Sequence, residues 1–118
     1  MVNIPNFRMR LLDDRQVVVL SIQGRMPREA VSAAVDEFDR VMKLGYLKVV
    51  GDLSMTEEVS SEGVGAWLYY RERLEAVGGK VVLVRPPESL MRRLSALGVT
   101  DRFPFADSLE NALDMMAN

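Results

Sequence analysis

The residues with the widest chemical range lie in one stretch. Ser60-Ser61-Glu62-Gly63-Val64-Gly65 joins two hydroxyls, a carboxylate and two glycines, and Asp52, Glu57 and Glu58 precede it closely. Glycine-rich turns can cradle phosphate. However, Gly63-Val64-Gly65 lacks the further glycines of a dinucleotide fingerprint, and Gly78-Gly79-Lys80-Val81 lacks the hydroxyl residue of a P-loop. Close backbone packing and a helix stop are the better readings of these glycines. Grouped carboxylates can hold Mg²⁺ or exchange protons, but that needs fixed geometry and usually waters or substrate phosphates. Asp52, Glu57, Glu58 and Glu62 therefore read as a solvated acidic loop. Ser61, just ahead of an apolar run at helical spacing, has the residue type of a helix N-cap.

Composition removes most other chemistry. The chain has no histidine and no cysteine. A Ser-His-Asp or Cys-His nucleophile is thus impossible, as are a His-based zinc site, a disulfide framework and a thiolate metal site. No catalytic residue, metal ligand or cofactor is expected, and an enzyme is not the reading of choice. A net charge of −2 argues against a nucleic-acid partner, which calls for a strongly basic face. No apolar run approaches the ~20 residues that span a bilayer, so no direct membrane insertion is expected. Met1 to Asn6 lacks the charged-then-apolar pattern of a signal peptide, and a cytoplasmic protein is the simplest expectation. At 118 residues, 48% apolar and 27% charged, the chain fits one domain over 1–118 with a real core.

The elements that must position the Ser60–Gly65 stretch follow from periodicity. Phe7 to Leu12 alternates apolar and charged residues, Asp13-Asp14-Arg15 reads as a turn, and Val17 to Ile22 is β-branched; together they predict a hairpin, ended by Gly24. Pro27 suits the first turn of a helix carrying Val31, Ala34, Val35, Phe38, Val41 and Met42, stopped by Gly45. Tyr46 to Leu53 is a strand, and Ser54 to Ser60 a polar loop. A helix from Ser61 to Val77 has the apolar stripe Val64, Trp67, Leu68, Leu74 and Val77. One of Tyr69 and Tyr70 must face outward, where an exposed aromatic would suit an interface. Lys80 to Val84 is a strand. Pro86-Pro87 precedes a helix with Leu90, Met91, Leu94 and Leu97, closed by Gly98, and Arg92-Arg93 is its solvated face. Phe103-Pro104-Phe105 is a short edge strand. Asp107 or Ser108 caps a last helix through Leu109, Ala112, Leu113 and Met116. The order β-β-α-β-α-β-α-β-α predicts an α/β fold: a mostly parallel sheet with an N-terminal antiparallel hairpin and about four helices.

Three blocks in this order resemble the STAS domain family, the anti-sigma-factor antagonists. Asp52-Leu53-Ser54 is followed, eleven positions after Asp52, by Gly63-Val64-Gly65. Leu74 through Val84 ends the helix with Gly78-Gly79 and returns as a valine-rich strand. Pro87 through Leu113 is similar to the family's closing helix, short strand and helix. The resemblance covers nearly the whole chain and is strongest from Val49 to Leu113. It implies the STAS fold and a non-enzymatic protein that binds through Ser60, Ser61, Glu62, Gly63, Val64 and Gly65. It also implies phosphorylation of Ser61 by a partner that is both a serine protein kinase of ATPase type and an anti-sigma factor. Ser60 stands where the family places aspartate, Glu62 where it places a small residue, and Thr56 and Glu58 where it places apolar ones. The alternative implied is an unswitched docking subunit of a transport complex or signalling scaffold. The oligomeric state is left open, a homo-oligomer included.

Overall fold

The computed structural model describes residues 6–12, 14, 16–25 and 28–117. The predicted turn residues Asp13 and Arg15, the helix-starting Pro27 and the segment 1–5 lie outside them.

Five strands form the central sheet. Strands β1 (Phe7–Leu12) and β2 (Val17–Ile22) make the antiparallel hairpin. Strands β4 (Lys48–Asp52), β6 (Lys80–Val84) and β7 (Phe105–Ala106) extend it in parallel, in the spatial order β1-β2-β4-β6-β7. The crossovers are α1 (Ala30–Lys43), α2 (Ser61–Ala76) and α3 (Glu88–Ala96), and α4 (Leu109–Met115) closes the chain. The predicted α/β class, the N-terminal antiparallel hairpin on an otherwise parallel sheet and the four helices are all present. No helix of the described residues is long and apolar enough to cross a membrane.

The valine-rich strands are apolar on consecutive residues because both sheet faces are covered. Val18, Val49 and Val81 sit side by side in register and face one core, with Phe38 and Val41 of α1, Leu74 of α2, and Leu90 and Leu94 of α3. One residue on, Val19, Val50 and Val82 point the opposite way, toward Ala112 and Met116 at the α4 side. Charge is tolerated at the start of these strands because Lys48 and Lys80 have somewhere to go. Their ammonium groups donate to the carbonyls of Met116 and Met115, each at 3.0 Å, supplying cations to the end of α4 where helix carbonyls lack partners.

On the α2 side, the next register row reads Leu20, Gly51, Leu83. Gly51 leaves a gap between two leucines, and the Trp67 indole fills it. A Cβ built on Gly51 would lie 2.5 Å from Trp67 Cη2 and 2.8 Å from Leu83 Cδ2. Trp67 is 4% exposed, and Tyr70 stands edge-on between it and Phe38 of α1, with ring centroids 6.2 Å and 4.1 Å away.

Several elements depart from the sequence expectation. The predicted polar loop 54–60 contains a strand, β5 (Thr56–Glu58), paired in parallel with β3 (Gly24–Arg25) in a separate two-stranded ladder. Elements of two and three residues carry too little periodicity to be seen in a sequence. Gly24 thus opens this ladder as well as ending the hairpin, at φ +68°. Thr56, a polar residue in the expected loop, is buried, with its hydroxyl donating to the Ile22 carbonyl at 2.7 Å. The strand expected at Phe103–Phe105 lies at Phe105–Ala106, and the buried Phe103 enters the core instead. The α2 stripe includes Tyr70 and excludes Val77. Leu44, Val77 and Leu97 end α1, α2 and α3, each directly before a left-handed glycine, and each is more than half exposed. At that position the chain turns away from the helix axis and the side chain leaves the stripe.

Two outcomes follow. Gly51→Ala is expected to cost about 1–3 kcal/mol through overpacking, read as a lowered urea midpoint at unchanged slope; an unchanged midpoint contradicts the seat for Trp67. Burial, with Asp39, Tyr69 and Asp36 nearby, pushes the Tyr70 phenol well above its ordinary range. The folded chain then keeps this phenol neutral where the unfolded chain ionises it. Its contribution is complete below about pH 10 and is lost as pH rises beyond. Urea midpoints measured from about pH 9 to 11 should fall less steeply for Tyr70→Phe than for wild type.

Candidate functional site

Strand β4 ends at Asp52, whose carboxylate accepts from the Ser54 amide at 3.2 Å and the Ser54 hydroxyl at 2.7 Å. Between them Leu53 is fully buried, and its amide donates to the Val84 carbonyl. The chain therefore turns off the end of the sheet with its backbone groups occupied. The β3–β5 ladder then carries it across the surface, with Arg25 paired to Glu58 at 2.9 Å. Val59 is buried, and its amide donates to the Ser89 hydroxyl in the first turn of α3 at 3.2 Å. These contacts fix the point at which α2 begins.

The structure separates the roles of the two serines. Ser60, not Ser61, is the N-cap: it is extended at φ −71° and ψ 166°, and its hydroxyl accepts from the Gly63 amide at 3.1 Å. Ser61 is the first residue of α2, is exposed, and its hydroxyl has no hydrogen-bond partner among the described residues. The reading of Ser61 as cap is thereby corrected by one position. Sequence alone could not choose between adjacent serines, since either residue type accepts from the third or second amide onward.

The two glycines also divide. A Cβ on Gly63 would lie 2.9 Å from Val59 Cγ1, so close packing of the helix start on β5's exit requires glycine there. A Cβ on Gly65 would meet nothing within 4 Å. Close packing therefore holds for Gly63 and fails for Gly65. Val64 between them is buried and anchors the first turn in the core. Glu62 is exposed in the first turn, where the helix dipole favours a carboxylate, and pairs with Arg28 at 3.5 Å. Both partners are largely solvated, so the pair adds little stability. Asp52, Glu58 and Glu62 each turn to a different partner, and the described residues hold no group of three or more His, Cys, Asp or Glu arranged to hold a metal ion.

Beside this helix start runs a groove of about 330 Å³ between α2 and α3. It is lined by Ser61, Val64, Gly65 and Leu68 on one side and Arg93, Ala96 and Leu97 on the other. The sequence reading missed it, because Leu68 and Leu97 belong to stripes that periodicity assigns to the core. Tyr69 is the outward-facing tyrosine, as one of the pair had to be. It does not stand free: the Arg73 guanidinium lies over its ring, and Arg73 bonds both its hydroxyl at 3.0 Å and Asp39 of α1 at 2.6 Å.

The model of the STAS domain matches residues 8–112. Among solved structures, a Thermotoga maritima protein provisionally assigned as an anti-sigma factor antagonist is 24% identical. The match covers 95% of each chain, at a TM-score of 0.83. The Bacillus cell fate determinant SpoIIAA in its phosphorylated form is 23% identical, with 92% of this chain and 97% of that one covered, at a TM-score of 0.78. A serine-to-glutamate variant of RsbS from Moorella thermoacetica is 19% identical over 93% of each chain, at 0.78. No curated protein matches the sequence.

The division of roles predicts a division of costs. Ser60→Ala should lose about 1 kcal/mol of stability with its cap, whereas Ser61→Ala should stay within about 0.5 kcal/mol of wild type. Urea denaturation of the two variants checks this; equal losses contradict the assignment of the cap.

Proposed function

The chain belongs to the STAS domain family, and from that premise we propose that it is a non-enzymatic anti-sigma-factor antagonist. In this reading it binds a partner serine kinase that is also the anti-sigma factor, through Ser60–Gly65, and phosphorylation of Ser61 ends the binding. The observation that carries the proposal is the free, exposed Ser61 hydroxyl beside a Ser60 that already caps α2. Modification of Ser61 would leave the cap, the buried Val64 and the glycine contact intact.

The charge balance supports a switch at the surface. A phosphate adds about −1.5 to −2 charges. At the first residue of a helix that charge meets unpaired amides and the positive end of the dipole. A partner surface fitted to a neutral hydroxyl would instead have to bury an unpaired anion, at a cost of several kcal/mol. Glu62 would oppose a neighbouring phosphate, but Arg28 stands beside it to offset the repulsion. The relatives support the same view of the fold: the unphosphorylated and phosphorylated forms of SpoIIAA match this chain at TM-scores of 0.77 and 0.78. A cytoplasmic setting fits such a partner.

Glu62 also favours a second reading. As a carboxylate already standing in the first turn, it would suit an unswitched docking subunit of a transport complex or signalling scaffold.

Capture from the native host's lysate separates the two. Wild type and Ser61→Ala should recover an ATPase-type serine kinase, and Ser61→Glu should recover it at least about tenfold less, equivalent to about 1.4 kcal/mol. Mass spectrometry of the bait should find phosphate on Ser61 after incubation with that kinase and ATP. The same partners on all three baits would rule out the switch and leave the docking subunit.

A further inference from the structure

We propose that the groove between α2 and α3 is the docking pocket for the partner, and that its occupant is an acidic amphipathic segment. Such a segment would seat an apolar side chain on the groove floor and place a carboxylate against Arg93. This rests on the reading of Ser61 as a switch, and it names what the switch controls.

Three observations carry it. First, Ser61, Gly65 and Leu68 lie on one face of α2, at the spacing of successive turns, and this face is turned away from Trp67 and Tyr70 in the core. Across from it, Leu97 is 60% exposed. An apolar floor is thus open to solvent next to the modifiable serine.

Second, Gly65 has no internal reason to be glycine. It lies within a helix, where glycine is less stable than alanine, and a side chain there would meet nothing within 4 Å. The neighbouring Gly63 is required by Val59, and Gly51 by Trp67. What Gly65 preserves is depth in the groove, which only a molecule entering it would use.

Third, the charge of the groove has one sign. Arg93 is its sole charged lining residue and forms no ion pair among the described residues, and the exposed Arg92 adjoins it in sequence. Glu62 is not among the residues that line it, and pairs with Arg28 instead. Arginine with free donors is suited to a carboxylate. Neutral Ser61 admits that carboxylate. A phosphate on Ser61 stands at the same groove, repels the incoming carboxylate and competes for the Arg93 guanidinium.

The test uses a displayed library of random twelve-residue peptides selected on the intact domain. Fluorescence anisotropy then measures the selected peptides on wild type, Gly65→Met, Arg93→Glu and Ser61→Glu. Selected peptides should combine a leucine, methionine or phenylalanine with aspartate or glutamate within one helical turn. Each substitution should weaken binding at least tenfold, and exchanging the peptide's carboxylate for lysine should restore binding to Arg93→Glu. Thermal melts confirm folding, with Gly65→Ala melting no lower than wild type. Failure to select any peptide, selection of peptides without carboxylates, or undiminished binding to Gly65→Met and Arg93→Glu overturns the groove as the docking site. Kinase capture that requires unmodified Ser61 but survives both groove substitutions also overturns it, while leaving the switch itself in place. Groove binding that ignores Ser61→Glu keeps the pocket and removes the switch.

Discussion

The arrangement of this domain depends on one steric fit, the Trp67 indole against the backbone of Gly51. Gly51 lies on the central strand between Leu20 and Leu83, and any side chain there would occupy the space of the indole. A tryptophan buries on the order of 200 Å², so this one contact sets the height and rotation of α2 over the sheet. Position 67 is six residues into the helix, and the helix start is carried with it. The helix start at Ser60–Gly65 is therefore held by this contact in the core together with the buried Val64, the Ser60 cap and the Val59–Ser89 hydrogen bond.

That economy frees the surface residues of the first turn. Ser60 satisfies the Gly63 amide, Gly63 admits Val59, and Val64 enters the core. Ser61, Glu62 and Gly65 are left exposed; the core uses neither the Ser61 nor the Glu62 side chain, and a Cβ at Gly65 would meet nothing within 4 Å. The separation follows from helix geometry: positions 60, 63, 64 and 67 lie toward the sheet, and 61, 62 and 65 face away. A surface read by another protein can change here without altering the core, because the two sets of residues share a turn but no contacts that the fold requires.

Much of this was legible in the sequence. Valine-rich strands, apolar stripes at helical spacing and glycines at helix ends identify the sheet, the four helices and their order, because each signal repeats over several residues. The hairpin is readable from the alternation of Phe7 to Leu12. What failed to show depends on single contacts or on very short elements. The β3–β5 ladder has two and three residues and is held by Thr56 and the Arg25–Glu58 pair, none of which has a periodic signature. The choice of Ser60 over Ser61 as cap is a one-residue matter of backbone angle. The burial of Tyr70 rather than Val77 reflects where α2 stops, since a stripe counted past the last turn points into solvent. The groove was hidden for a related reason: Leu97 continues the stripe of α3 in sequence but sits at its cap in space.

The placement of Ser61 also limits how a switch there could work. At the first residue of α2, an added phosphate meets the positive end of the helix dipole. That interaction is worth about 0.3–1 kcal/mol in favour of the folded, modified chain. Burying the same charge unpaired against a partner costs several kcal/mol in the other direction. The two effects have opposite signs and unequal sizes, so the larger one, at the interface, decides the outcome. Unfolding the helix is the one response that the local electrostatics oppose. A modification at this position can thus govern association only by changing what the exposed face of α2 will accept, while Trp67 keeps that face where it was.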